Sequence, residues 1–143
     1  MRKIILCDCV PYAFGPVSKL IAISRLLRDD FDLVFLTTGM TRNFIEQEQL
    51  GRIVECNTRK LTDLEKNTNL FKQAALFLDV MNQNSVEFAQ KIGTKVAFVD
   101  SLFWMWSGIW PYMKDVDYYF IQNFGEINDQ IEKFNIKNCL YPN

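Results

Sequence analysis

Three aspartates are the residues best placed for acid and base chemistry, because each ends an apolar stretch that has the character of a β-strand. They are Asp8, Asp79 and Asp100. The sequence contains no histidine, which removes serine and cysteine triads, imidazole metal ligands and any imidazole general base. Carboxylates must therefore carry any acid and base chemistry near neutral pH, and these three are the candidate catalytic residues. An aspartate at a strand end also commonly caps the next helix or turn, so a structural role stays open for each.

The segment 100–113, DSLFWMWSGIWPYM, holds all three tryptophans of the chain. So large an aromatic content beside a strand end could wall a ligand pocket, form a docking patch or fold back onto the sheet as ordinary core. The loop after the first strand adds two more aromatic residues. The candidate substrate-binding residues are Tyr12, Phe14, Phe103, Trp104, Trp106 and Trp110.

The elements that position these residues follow from an alternation of apolar runs and amphipathic stretches. Predicted strands cover 3–10, 32–39, 52–57, 74–80, 94–100, 116–123 and 136–142. Predicted helices cover 16–29, 41–50, 58–73, 86–93 and 126–134. Thr41 is the expected cap of the second helix, and Gly51 is its expected end. The run at 74–80 could instead prolong the preceding helix. Its short apolar character, with a terminal Asp and a following Asn-Gln-Asn-Ser, favours a buried strand.

This alternation predicts an α/β fold, a doubly wound, Rossmann-like parallel sheet of about seven strands in a three-layer α/β/α arrangement. Right-handed crossovers then give the strand order 3-2-1-4-5-6-7. Ligands of such sheets bind outside the carboxyl ends of the strands, so function is expected in the loops there. At 143 residues, the chain 1–143 is expected to form one domain that needs neither a disulfide nor a metal to fold.

Composition and missing motifs exclude several function classes. Sixteen basic and seventeen acidic residues give a net charge of −1, which disfavours a nucleic-acid partner. No apolar run approaches the roughly 20 residues of a bilayer span, so no transmembrane segment and a cytoplasmic location are expected. The cysteines, 7, 9, 56 and 139, form no CxxC pair and are expected to be buried, reduced thiols without a metal. The first loop has one glycine, Gly15, so no phosphate-wrapping loop and no cofactor are expected.

Three stretches resemble the N-terminal, acceptor-binding domain of GT-B glycosyltransferases. The first is a strand-one loop leading to a helix with a charged end and then DLVFLTT; the second is LFLDVMNQNSVEFAQKIGTKVAFVD; the third is the aromatic SLFWMW. Together they extend the resemblance over nearly the whole chain.

The resemblance implies half of a nucleotide-sugar-dependent enzyme, inactive alone, that binds a saccharide or other small-molecule acceptor. Its partner would be a donor-binding domain, either missing here or carried by another chain. Asp79 matches the aspartate that assists the first-loop histidine of the family, whereas the first loop here, VPYAFGP (10–16), lacks that histidine. Asp79 would then activate the acceptor, with Asp8 as the neighbour that raises its pKa. The alternative is a non-enzymatic Rossmann-like interaction module that uses the aromatic loop.

Overall fold

The computed structural model describes residues 1–12, 14–122 and 127–140, and within them seven parallel strands form one sheet. The strands are β1 Ile4–Cys9, β2 Asp32–Thr37, β3 Arg52–Glu55, β4 Leu76–Val80, β5 Val96–Asp100, β6 Tyr118–Ile121 and β7 Cys139–Leu140. Their order, β3-β2-β1-β4-β5-β6-β7, confirms the predicted order, and β4 confirms the strand predicted at 74–80. The predicted strand and helix ends at 123, 126, 141 and 142 lie outside the described residues.

Helices cover both faces of the sheet, which confirms the three-layer Rossmann-like architecture. They are α1 Gly15–Leu27, α2 Gly39–Glu48, α3 Leu61–Lys66, α4 Thr68–Gln73, α5 Gln83–Ile92 and α6 Asn128–Phe134. On one face α1 and α2 pack over residues such as Leu20 and Phe35. On the other face the remaining helices enclose a core that includes Phe71 and Phe98. Within the described residues, no helix has both the length and the hydropathy that crossing a bilayer requires.

The helix predicted over 58–73 is divided into α3 and α4 at Asn67. The side-chain amide of Asn67 donates a hydrogen bond to the carbonyl of Asp63 at 2.8 Å, and the Thr68 hydroxyl donates to the carbonyl of Glu65 at 2.7 Å. Polar side chains that bond nearby backbone in this way compete with the regular helical ladder. The amphipathic spacing therefore predicted helix here and the burial of Leu64 and Phe71, but it did not predict the break or the exposure of Leu61.

Both predicted ends of α2 were wrong. The helix begins at Gly39, two residues before Thr41, and Gln49 takes the left-handed conformation at its end with φ of 51°. Gly51 has a different role, because it lies against the backbone of β2. A glycine is needed there for close approach rather than for a helix cap.

This close approach gives a prediction for Gly51→Ala. An added Cβ would lie 2.2 Å from the carbonyl oxygen of Leu33 and 2.9 Å from its carbonyl carbon, so β2 would have to shift. We expect urea denaturation to show a loss of about 1–3 kcal/mol in the free energy of unfolding. Gly15→Ala is the matched control, because nothing lies within 4 Å of its added Cβ. Equal stabilities of the two variants would contradict the close packing at Gly51.

Candidate functional site

The three candidate aspartates end adjacent strands of the sheet. Asp8 of β1 and Asp79 of β4 are register partners, and Asp100 is the last residue of β5. All three are buried, with at most 2% of each residue exposed. The sequence therefore placed them correctly at the carboxyl edge, but the structure turns them into the protein rather than toward solvent.

Asp8 accepts hydrogen bonds from three side chains that belong to two separate segments. The Thr58 hydroxyl donates to its Oδ1 at 2.9 Å, and the side-chain amide of Asn82 donates to its Oδ2 at 2.8 Å. The Ser85 hydroxyl lies 3.0 Å from the same Oδ2. These contacts fix the loop after β3 and the start of α5 against β1, as expected for a buried carboxylate with several donors.

Asp79 shares the Ser85 hydroxyl with Asp8. Its Oδ2 lies 2.6 Å from Ser85 Oγ, and its Oδ1 accepts the backbone N–H of Asn82 at 2.8 Å. A serine hydroxyl has one proton to donate, so it cannot satisfy both carboxylates. A proton on Asp79 resolves the arrangement, because Asp79 can then donate to Ser85 while Ser85 donates to Asp8.

The electrostatics agree with a proton held on Asp79. Burial raises the pKa of Asp8 to about 7, with the hydrogen bonds from Asn82, Thr58 and Ser85 acting in the opposite direction. Burial also raises the pKa of Asp79 well above its ordinary value, and the neighbouring charge of Asp8 raises it further. Asp8 has the larger set of donors and is therefore the first of the two to ionise.

Asp100 holds the aromatic segment in place. Its carboxylate accepts hydrogen bonds from the backbone N–H of Leu102 at 3.0 Å, the indole N–H of Trp106 at 2.8 Å and the hydroxyl of Tyr119 at 2.6 Å. Burial raises the pKa of Asp100, and these three donors oppose the rise. Asp100 thus joins the loop after β5 to β6.

Side chains from α5 and α6 fix the rest of that loop. The Gln130 side-chain amide donates to the carbonyl of Trp106 at 3.1 Å, and the Gln90 amide donates to the carbonyl of Tyr112 at 2.9 Å. The loop contains two short 3-10 helices: Phe103–Met105 comes directly before Trp106, and Pro111–Asp115 contains Tyr112. The loop is therefore ordered by polar contacts and does not depend on burying all of its rings.

The candidate binding residues are distributed over three environments. Phe103 is fully buried and makes edge-to-face contacts with Tyr119 and Phe134, so it belongs to the core. Four others are exposed at the carboxyl edge: Tyr12, Phe14, Trp104 and Trp110. Trp106 is half-buried, with its indole N–H on Asp100.

A cleft of about 580 Å³ opens between the start of α1 and the aromatic loop. Its lining is mainly apolar, and it brings together two of the predicted binding residues, Tyr12 and Trp106. The full lining is Val10, Tyr12, Gly15, Pro16, Lys19, Met81, Ser101, Leu102, Trp106 and Gln122. None of the three aspartates lines it.

The cysteines offer no nucleophile. Cys7, Cys9 and Cys56 are buried free thiols, and Cys139 is half-buried. Burial raises the pKa of all four thiols, that of Cys56 to about 12, so the reactive thiolate is scarce at neutral pH. Over the ranges 1–12, 14–122 and 127–140, no group of three or more metal-ligating side chains comes together.

Sequence reasoning missed the partners of the aspartates. Asn82 and Ser85 lie in the Asn-Gln-Asn-Ser stretch that predicted a helix start, and this was the one available signal for them. Thr58 carried no signal, and neither did the polar residues of the cleft, Lys19 and Gln122. Their roles depend on contacts between distant segments.

The comparisons with known proteins support the fold alone. No family model and no curated protein match the chain. A solved structure titled "SsCR_L211H" is 10% identical with a TM-score of 0.51, and the match covers 95% of this chain and 48% of that one. This chain therefore spans about half the length of that structure. The TrkA-N domain of the inner membrane protein ybaL from Escherichia coli is 14% identical with a TM-score of 0.48, over 98% of this chain and 87% of that domain.

The resemblance to GT-B glycosyltransferases was wrong. The solved structure with a TM-score of 0.51 is not titled as a glycosyltransferase, and no family model or curated protein of that class matches the chain. The stretches that suggested it are strand ends with Asp, helix starts and a loop, which doubly wound sheets share irrespective of activity. The half-enzyme interpretation rested on that resemblance and falls with it. The comparisons do not test the candidate catalytic role of Asp79, which stays a prediction.

The proton retained on Asp79 gives a prediction for the pH dependence of stability. A carboxyl group with a raised pKa in the folded state keeps its proton where the unfolded chain has lost it, so stability falls as pH rises. For Asp8 the window runs from its ordinary 3.8 to about 7, and the raised pKa of Asp79 acts in the same direction. In Asp79→Asn, a neutral amide replaces the protonated acid and can still donate to Ser85. We expect urea denaturation to show that the free energy of unfolding of this variant increases relative to wild type as the pH rises from 5 to 8.

Asp8→Asn is the matched control. Its amide N–H groups would face the donors that now bind Asp8, so we expect a loss of about 1–3 kcal/mol relative to wild type at pH 5. If Asp79→Asn has the same pH profile as wild type, Asp79 does not hold the proton.

Proposed function

We propose that this chain is a non-catalytic binding module of Rossmann-like architecture. It holds a small ligand with a flat apolar part in the cleft between α1 and the aromatic loop. The observation that carries the proposal is the lining of the cleft, which combines apolar side chains with a few polar groups and contains no carboxylate or cysteine. Concave sites of this size and composition at the carboxyl ends of strands are typical of ligand pockets.

The walls of the cleft are preorganised. Trp106 and Leu102 are held through Asp100, which bonds the indole of one and the backbone of the other. A ligand that enters therefore meets side chains whose position is already fixed, and less conformational entropy is lost on binding. Tyr12 contributes a second ring from the loop after β1.

Three polar residues select among apolar ligands. Lys19 supplies a cation and Ser101 a hydroxyl, while the side-chain oxygen of Gln122 is buried and accepts no hydrogen bond within the described residues. A buried acceptor without a donor is costly, so a ligand that donates a hydrogen bond to Gln122 would be favoured. The expected ligand combines a flat ring with a donor and tolerates or prefers negative charge near Lys19.

The aspartates support binding over catalysis. The carboxyl groups of Asp8, Asp79 and Asp100 are engaged with neighbouring side chains and backbone, and all are buried away from the cleft. A general acid or base must come within hydrogen-bond reach of the group it serves. A ligand seated in the cleft would instead meet Lys19, Tyr12 and uncharged groups.

The test uses 8-anilinonaphthalene-1-sulfonate, a flat anionic probe that fluoresces in apolar sites. We expect the wild-type chain to bind it, and Leu102→Asp to weaken binding about tenfold, or roughly 1.4 kcal/mol, by placing a charge beside the apolar wall. Leu26→Asp is the matched control, because Leu26 lies at the other end of α1 with 81% of its surface exposed. Equal binding by both variants and wild type would place the probe elsewhere and refute the proposal.

A second candidate function is association with a protein partner through the tip of the aromatic loop. Trp104 is 48% exposed and Trp110 63% exposed, although the loop that carries them is fixed. Ordered, exposed tryptophans are frequent anchors of protein interfaces.

Self-association is the form of this function that can be tested directly. If the loop pairs two copies, sedimentation velocity will show a concentration-dependent dimer that Trp104→Ser with Trp110→Ser abolishes, because truncating two anchors removes about 2 kcal/mol or more each. Leu26→Ser with Leu61→Ser removes two exposed apolar side chains outside the loop and serves as the control. A chain that stays monomeric at the highest soluble concentration would exclude self-association through this loop.

A further inference from the structure

A second concave surface lies at the carboxyl edge, next to the loop after β3, and it differs from the cleft in charge. We call it the basic groove; it is about 540 Å³ and shares no lining residue with the cleft. Its ionisable side chains are Arg59, Lys60, Lys91 and Glu87. Three cations thus face one carboxylate, on a chain whose net charge is −1.

Arg59 is oriented without being neutralised. Its guanidinium carbon lies 4.9 Å from the centre of the Tyr12 ring, and in the described part of the chain it forms no ion pair. A ring contact leaves the charge of the guanidinium in place and occupies none of its N–H groups in a hydrogen bond to oxygen or nitrogen, so they are available to bind an anion. Arg59 is therefore held in position with its hydrogen-bonding capacity unused.

The turn that carries the cations is itself fixed. The backbone N–H of Arg59 donates to the side-chain oxygen of Asn57 at 3.1 Å, and that of Lys60 donates to the Asn57 carbonyl at 2.9 Å. Thr58 lies between Asn57 and Arg59, and its hydroxyl donates a hydrogen bond to Asp8. The buried network thus sets the position of the charged turn, as an asparagine-initiated turn commonly does.

The other two cations line the groove together with apolar side chains. Lys60 forms no ion pair with any described residue, and Lys91 pairs with Glu87 at 3.1 Å one helical turn away on α5. That pair is largely exposed and therefore weak, so Lys91 can turn to a stronger anion. Leu61, Leu64 and Phe88 supply apolar surface in the same groove.

We infer that the basic groove binds a small phosphorylated molecule, with its phosphoryl oxygens on Arg59 and Lys60 and its organic part against Phe88 and Leu61. A guanidinium suits a phosphoryl group because its N–H groups can bond two oxygens at once, and lysines add charge without demanding geometry. Two or three cations also match the two negative charges of a phosphate monoester better than the one charge of a carboxylate. The groove therefore provides a second ligand site, whose lining residues are separate from those of the cleft.

Isothermal titration calorimetry at low salt tests this with phenyl phosphate as the probe and benzoate as the carboxylate comparison. We expect submillimolar binding of phenyl phosphate, weaker binding of benzoate, and a loss of about tenfold in Arg59→Gln, the usual size for a charge-assisted hydrogen bond. Lys72→Gln changes the net charge equally but lies outside the groove, so its affinity should stay within about twofold of wild type.

Two further variants keep the inference falsifiable. Arg59→Lys preserves charge if Arg59→Gln fails to fold, and it should still weaken phenyl phosphate because the two-pronged contact is lost. Leu102→Asp should leave phenyl phosphate affinity unchanged, which separates the groove from the cleft. Absence of binding, equal affinity for benzoate, or an equal loss in Lys72→Gln would each overturn the inference.

Discussion

The structure depends on two carboxyl groups that lie side by side on adjacent strands and share one serine hydroxyl. Asp8 and Asp79 are register partners, and Ser85 Oγ lies 3.0 Å and 2.6 Å from them. Two buried carboxylates close enough to share one hydroxyl would repel strongly if both were charged, because the dielectric constant of the interior is low. A single retained proton removes that repulsion and directs the hydrogen bonds from Asp79 through Ser85 to Asp8. This arrangement joins β1, β4, the start of α5 and the turn at Thr58 at the point where the sheet reverses its winding.

With these carboxylates engaged inside, the carboxyl edge presents two different surfaces. Asp100 orders the aromatic loop, and that loop supplies Trp106 and Leu102 to the apolar cleft. Asp8 holds Thr58, and the turn that follows presents Arg59 and Lys60 to the basic groove. Buried acidic residues thus determine the positions of exposed residues of quite different chemistry. Tyr12 borders both surfaces, since it lines the cleft and lies beneath the Arg59 guanidinium.

The sequence predicted the parts of this structure that depend on local pattern. The alternation of runs gave all seven strands and their order, including the ambiguous strand Leu76–Val80, and placed three aspartates at strand ends. The hydrogen bonds to those aspartates could not be predicted, because the partners of Asp8 lie 50, 74 and 77 residues away along the chain. Nor could composition separate Phe103, which is buried, from its exposed neighbour Trp104. The glycosyltransferase resemblance failed for the same reason, since its motifs describe local punctuation that many doubly wound sheets share.

Asp79 keeps its proton at neutral pH, and Asp8 is the first of the two carboxyl groups to ionise. Carbon-13 NMR of the aspartate carboxyl groups, recorded as a function of pH, measures this directly. We expect the Asp79 signal to keep the chemical shift of the protonated acid at pH 7, and Asp8 to titrate at lower pH than Asp79. If the Asp79 signal titrates near its ordinary pKa of about 4, Asp79 does not retain the proton.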